Sequence, residues 1–172
     1  MKKIFKYIFA GMAAMSVVAC SEDALETSPS SSVSGNELLG TATNALVSLN
    51  GVYRAMYTAG VSNSSNTHQC FGITAYNLVA DVMGEDCIMN GQGSGWFWYD
   101  CVYNVKSRYT STGWRSYDMW NGYYTWISNV NYILAEEETM SGSETEKNYV
   151  LGQAYAVRAY SYFMLAQIYR SE

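Results

Sequence analysis

Apolar residues in this chain recur at helical steps over three long stretches, and one glycine-rich stretch between them has no period. From Leu38 to Tyr57, the apolar side chains Leu38, Leu39, Ala42, Ala45, Leu46, Leu49, Val52, Tyr53, Met56 and Tyr57 recur at three- and four-residue steps, which puts them on one helical face. Ser34-Gly35-Asn36-Glu37 before it reads as a capping box, and Gly60 ends the pattern. A shorter helix is predicted from Phe71 to Met83, broken by Gly84. Another runs from Trp114 to Glu137, with Tyr117, Trp120, Tyr124, Ile127, Asn131 and Leu134 as its stripe. Ser143-Glu144-Thr145-Glu146 offers a second capping box. The helix it starts, Glu144 to Tyr169, carries Leu151, Ala154, Tyr155, Arg158, Tyr162, Leu165, Ala166 and Tyr169 on one side.

Two amphipathic helices in succession form a helix-turn-helix unit of tetratricopeptide type, and Gly152, Ala154, Ala156 and Ala159 let a partner helix come close. The expected fold class is mostly all-α: tetratricopeptide-like helix pairs with an irregular, aromatic-rich loop region. That loop spans Gly84 to Gly113, where Gly91, Gly93 and Gly95 precede Trp96-Phe97-Trp98-Tyr99. Four adjacent aromatics cannot all face one core from a helix, and a strand turns two of them outward. Trp96, Trp98 and Tyr99 are therefore candidates for a ligand-stacking platform, with Asp86 and Asn90 as hydroxyl-binding neighbours. The competing reading folds these rings into the core beneath the loop.

The N-terminus bears on location. Lys2, Lys3 and Lys6 form a basic head, and Ile4, Phe5, Tyr7, Ile8, Phe9 and Ala10 to Ala19 make an apolar run ending in small residues, too short for a membrane-spanning helix. This is the layout of a signal peptide over residues 1–19. Val17-Val18-Ala19-Cys20 resembles the lipobox of bacterial lipoproteins, in which the cysteine thiol is acylated and becomes the new N-terminus. Acyl chains then anchor the protein by burying methylenes in lipid, at about 0.8 kcal/mol each. Removal of three lysines takes the formal charge from −5 to −8, a poor match for nucleic acid, which needs basic patches. Residues 20–35, serine-rich and with the only proline, read as a lipidated flexible tether. Cys70, Cys87 and Cys101 show no CxxC pair and no zinc spacing, and the sequence leaves one disulfide or none.

Trp120-Asn121-Gly122-Tyr123-Tyr124-Thr125-Trp126-Ile127 through Leu134 resembles the W-x-x-x-Y-x-x-I-x-x-x-N-x-x-L stretch of the SusD/RagB family of outer-membrane lipoproteins. Gly152-Gln153-Ala154 through Arg158-Ala159-Tyr160-Ser161-Tyr162-Phe163 is similar to that family's G-E-A-x-x-x-R-A-x-x-Y-F helix, and Ala45 to Tyr53 to its first helix. The lipobox and the acids Glu22, Asp23 and Glu26 behind it fit the same pattern. The resemblance implies a cell-surface protein, lipid-anchored in the outer membrane and facing the exterior. Such proteins capture a glycan, or in some members a peptide, and deliver it to a SusC-like TonB-dependent transporter. It implies no enzyme activity and no cofactor. It also implies a longer protein, so residues 36–172 read as a truncated SusD-like N-terminal helical domain whose last helix leaves an apolar face uncovered.

The remaining polar residues carry less. Asp81, Glu85 and Asp86 have the composition for glycosidase carboxylates or calcium ligands but read as a solvated helix end. No catalytic or metal-binding residue is assigned. His68, the only histidine, is placed on a surface loop. Arg158 is expected in an ion pair or on carbonyls between helices, and Asn131 in an interhelical hydrogen bond. Two other functions compete with glycan capture: a tetratricopeptide-like scaffold lipoprotein that binds a protein partner, and, well below both, a carboxylate glycosidase.

Overall fold

The chain divides into two units, the second of which is Asn36–Glu172. The computed structural model describes residues 38–84, 87–102 and 109–170, all in the second unit. The signal peptide, Cys20, the tether, the Ser34 capping box, Glu85 and Asp86 lie outside the described residues. The elements in order are α1 (Ala42–Ala55), a single 3-10 turn (Ser64–Asn66), α2 (Ile73–Met83), α3 (Trp98–Cys101), α4 (Trp114–Ala135) and α5 (Glu144–Ile168). The one isolated β-bridge among the described residues joins Thr41 to Ser141. The all-α expectation holds.

Helix ends follow local chemistry. Thr41 caps α1, its hydroxyl oxygen accepting the Asn44 N–H at 3.1 Å. The start lies at Ala42 because the chain before it is tied to the α4–α5 connection. Ala42 N–H donates to the Ser141 carbonyl and Ser141 N–H to Gly40, each at 2.9 Å. At the start of α5 the predicted box forms: the Ser143 hydroxyl accepts the Glu146 N–H, and the Glu146 carboxylate accepts the Ser143 N–H at 2.9 Å. Bonding to the Ser143 side chain and backbone holds the Glu146 carboxyl below its ordinary pKa. Gly72, at φ +70°, precedes α2 and lies so close to α1 that a Cβ there would sit 1.9 Å from the Met56 carbonyl oxygen.

Helices α4 and α5 make the most extensive contact in the fold. They run antiparallel, since the touching pairs Trp120–Tyr169, Tyr124–Tyr162 and Asn131–Arg158 advance along one helix and retreat along the other. Both also pack on α1. The core holds Leu49 of α1, Val79 of α2, Tyr123, Trp126, Val130 and Ile133 of α4 and Val150 of α5, all below 2% exposed. Each aliphatic among them contributes roughly 1.5–3 kcal/mol by leaving water.

Two stripes depart from the sequence expectation. On α4 the buried face is Met119, Tyr123, Trp126, Ile127, Val130, Ile133 and Leu134, while Tyr117, Trp120, Tyr124 and Asn131 are exposed. Aromatic residues occupy both phases of the helical period, and the stripe read from sequence was largely the outer one. On α5, Leu151, Ala154 and Leu165 point inward as expected, but Val150, Val157 and Ser161 complete that face. Tyr155, Tyr162 and Phe163, by contrast, are exposed. Of the small residues, Ala154 is buried and Gly152, Ala156 and Ala159 are exposed. Arg158 donates to Asn131 Oδ1 at 3.0 Å, an interhelical hydrogen bond to a neutral partner and not an ion pair. No described helix is long and apolar enough to cross a membrane.

Candidate ligand-binding surface

The aromatic quartet splits its directions. Phe97 takes a left-handed conformation, φ 58°, unusual for a bulky residue, and this turns its ring into the core. Its backbone N–H donates to Gln69 Oε1 at 2.8 Å, and its ring meets Phe71 edge-on at 6.1 Å. Trp96 and Tyr99 lie exposed on the other side. Trp96 is 50% exposed and Tyr99 43%, while Trp98 is half-buried at the start of α3. Trp96 has the His68 ring 5.0 Å away at a tilt of 36°, so the lone histidine is a surface residue that supports the indole. Asn90 is exposed, and Asp86 lies outside the described residues.

What fixes this loop is a charge cluster beneath it. Arg115, in the first turn of α4, reaches Asp100 of α3 with Nε–Oδ1 at 3.2 Å and Nη2–Oδ2 at 3.0 Å. Its Nη1 donates to the Gln69 carbonyl at 2.8 Å and lies 3.6 Å from Asp118 Oδ2. The guanidinium also sits over two rings, Phe97 at 5.1 Å and Trp114 at 4.2 Å. One buried cation thus ties the Gln69 loop, the aromatic loop and α4 together. Tyr109 donates to Asp100, and Ser62 to Asp118.

The buried groups around Arg115 are shifted as burial dictates. Desolvation raises the Asp118 carboxyl pKa, against the Ser62 hydroxyl, the Cys70 thiol and Arg115, which pull it down. Burial pushes the Cys70 thiol up to about 12, with the Asp118 charge adding to the shift. The Tyr109 hydroxyl moves up for the same reason, helped by its bond to Asp100. Cys70, Cys87 and Cys101 are all free thiols.

A cleft of about 140 Å³ opens beside the loop, lined by Tyr99, Asp100, Tyr109, Trp114 and Arg115. It has aromatic walls and a charged floor, the composition that grips a sugar by its apolar face and its hydroxyls. Of the residues named from sequence, Tyr99 lines it. Trp114, 37% exposed, Tyr109 and Arg115 were missed. A larger groove of about 540 Å³ lies next to it and shares Tyr109 and Arg115 with it. Met83, Met119, Ile168 and Tyr169 supply much of its wall. Asp81 is exposed on α2, and no group of three or more His, Cys, Asp or Glu among the described residues is placed to hold a metal ion.

Residues 23–171 match the model of a SusD-like family described as "Starch-binding associating with outer membrane". No curated protein and no solved structure matches the chain.

Proposed function

Since the chain belongs to the SusD-like family, we propose that it is a binding protein of the outer membrane that captures starch or a related glycan. In this reading Cys20 carries the acyl anchor, residues 20–35 form the tether, and residues 36–172 hold the glycan at the cell surface. The bound chain is then passed to a SusC-like TonB-dependent transporter. The observation that carries the reading is the pose of Trp96 and Tyr99. Both rings face solvent from a loop held rigid by Phe97 and by the buried Asp100–Arg115 pair. Exposed rings on a fixed backbone lose little entropy when a pyranose stacks on them.

Isothermal titration of the whole chain with soluble starch tests the proposal. Binding that weakens by about tenfold in Trp96→Ala or Tyr99→Ala, with the fold retained, supports it. Starch binding indifferent to both substitutions removes the aromatic loop from the reading. A protein partner is the second reading, favoured by Phe163 and Tyr149 on α5, 60% and 62% exposed. It expects cross-links from α5 to the transporter and no affinity for starch.

A further inference from the structure

The aromatic loop is joined to the lone histidine through Gln69, and the hydrogen bonds along that connection have a fixed direction. A backbone N–H can only donate, so the bond from the Phe97 N–H to Gln69 Oε1 at 2.8 Å settles which way the Gln69 amide faces. Gln69 Nε2, also a donor only, then points at His68 Nε2, 3.1 Å away. His68 Nε2 must therefore accept, which makes the imidazole neutral with its proton on Nδ1. The Gln69 backbone is held on both sides. Its N–H donates to the Asn66 carbonyl at 2.9 Å, and its carbonyl accepts Arg115 Nη1 at 2.8 Å. The same His68 ring lies 5.0 Å from the ring of Trp96.

A second proton on His68 has no place in this arrangement. It would sit on Nε2 and face the Gln69 amide nitrogen, donor against donor. Turning the amide over to receive it would set that nitrogen against the Phe97 N–H, which is the same conflict one bond further on. Phe97 has little freedom to evade it, because its left-handed backbone and buried ring fix where the N–H points. His68, by contrast, is exposed and can swing away. An imidazolium is drawn to the face of an indole, so the two rings leave Gln69 together and Trp96 loses its tether.

We propose that His68 is a proton-operated latch on the aromatic loop, tying Trp96 to Gln69 when neutral and releasing it when protonated. The latch rests on the glycan-binding reading above only for its effect on ligand capture, and its action on the loop can be read without a ligand. Histidine is the side chain that ordinarily changes charge between pH 8 and pH 5. The charged and titratable groups behind Gln69 are Arg115, Asp100, Asp118, Cys70 and Tyr109, all in the buried cluster. Asp118 also takes up a proton as pH falls, with a raised pKa, so a variant without the histidine separates the two.

The test is nuclear magnetic resonance of the whole chain from pH 8 to pH 5, with calorimetric titration of soluble starch at both ends. The single histidine supplies one imidazole reporter. The Trp96 indole N–H and Phe97 amide resonances are expected to move with the midpoint of His68, while circular dichroism stays constant. Starch affinity should fall by about threefold at pH 5, the loss of one exposed hydrogen bond. In Gln69→Glu a carboxylate accepts from both Phe97 and the imidazolium, so the His68 midpoint should rise and Trp96 should stay in place. His68→Phe keeps a ring beside the indole and should leave both resonances and the starch affinity flat with pH. Resonances that still titrate in His68→Phe assign the effect to Asp118 and overturn the latch, as do resonances that stay fixed while His68 titrates. Starch affinity equal at pH 8 and pH 5 overturns the latch as a control on capture and leaves the glycan-binding reading intact. Resonances that move with His68 in a chain that binds no starch at either pH uphold the latch and remove the glycan-binding reading.

Discussion

Arg115 on α4 and Asp100 on α3 form a two-pronged ion pair at side-chain exposures of 5% and 4%. The pair joins the helical scaffold to the loop that carries Trp96 and Tyr99. A buried pair of this kind is costly to break from one side, because the surviving charge has no water to return to. Arg115→Ala is therefore expected to lose about 3–5 kcal/mol of stability in a urea melt. Arg115→Lys should recover only part of it, since an ammonium cannot make the forked contact. A melt unchanged by either substitution would show that the pair does not hold the loop.

Gly122 lies in the middle of α4, where alanine ordinarily stabilises by up to about 1 kcal/mol. Here the expectation reverses. A Cβ at Gly122 would fall 2.2 Å from the Tyr76 hydroxyl oxygen, which donates to the Asp118 carbonyl at 3.0 Å. Gly122→Ala should destabilise by about 1–3 kcal/mol. In the background of Tyr76→Ala the same change should become neutral or favourable, and a double-mutant cycle reads the difference.

The Asp118 carboxyl has a raised pKa in the folded state, mainly through desolvation. The folded protein thus holds that proton more tightly than the unfolded chain does. Its contribution is most favourable when protonated and is lost as pH rises from the ordinary carboxylate value, near 4, through the folded pKa. Thermal melts from pH 4 to 7 should show the unaltered chain losing stability relative to Asp118→Asn. A constant difference between the two across that range would contradict the shift.

The free thiols should react in a fixed order. Cys87 is exposed, whereas Cys70 is fully buried with its thiol pushed up to about 12. Only a thiolate attacks an alkylating reagent. In the native protein at pH 8, iodoacetamide should label Cys87 and spare Cys70, which becomes reactive after denaturation. Mass spectrometry of tryptic peptides reads both, and early labelling of Cys70 would place it at the surface.

The helices were legible because their signals are local. The Ser143–Glu146 box and the period of α5 needed no knowledge of the rest of the chain. The face of α4 was misread because Tyr117, Trp120 and Tyr124 fit the helical period as well as Met119, Tyr123 and Trp126 do. Composition does not separate an outer aromatic stripe from an inner one. The candidate site was half legible. Adjacent aromatics after a run of glycines marked the loop, but not which ring would turn inward. Asp100 and Arg115 went unnoticed because their pairing is tertiary. An acid directly after the quartet and an arginine directly after Trp114 were the available traces.

Phe97 places one ring in the core while Trp96 and Tyr99 stay exposed, so that ring and the Asp100–Arg115 pair together anchor the loop. Exposed and anchoring side chains thus alternate within four consecutive residues. A change at Trp96 alters the surface, whereas the same change at Phe97 alters the core.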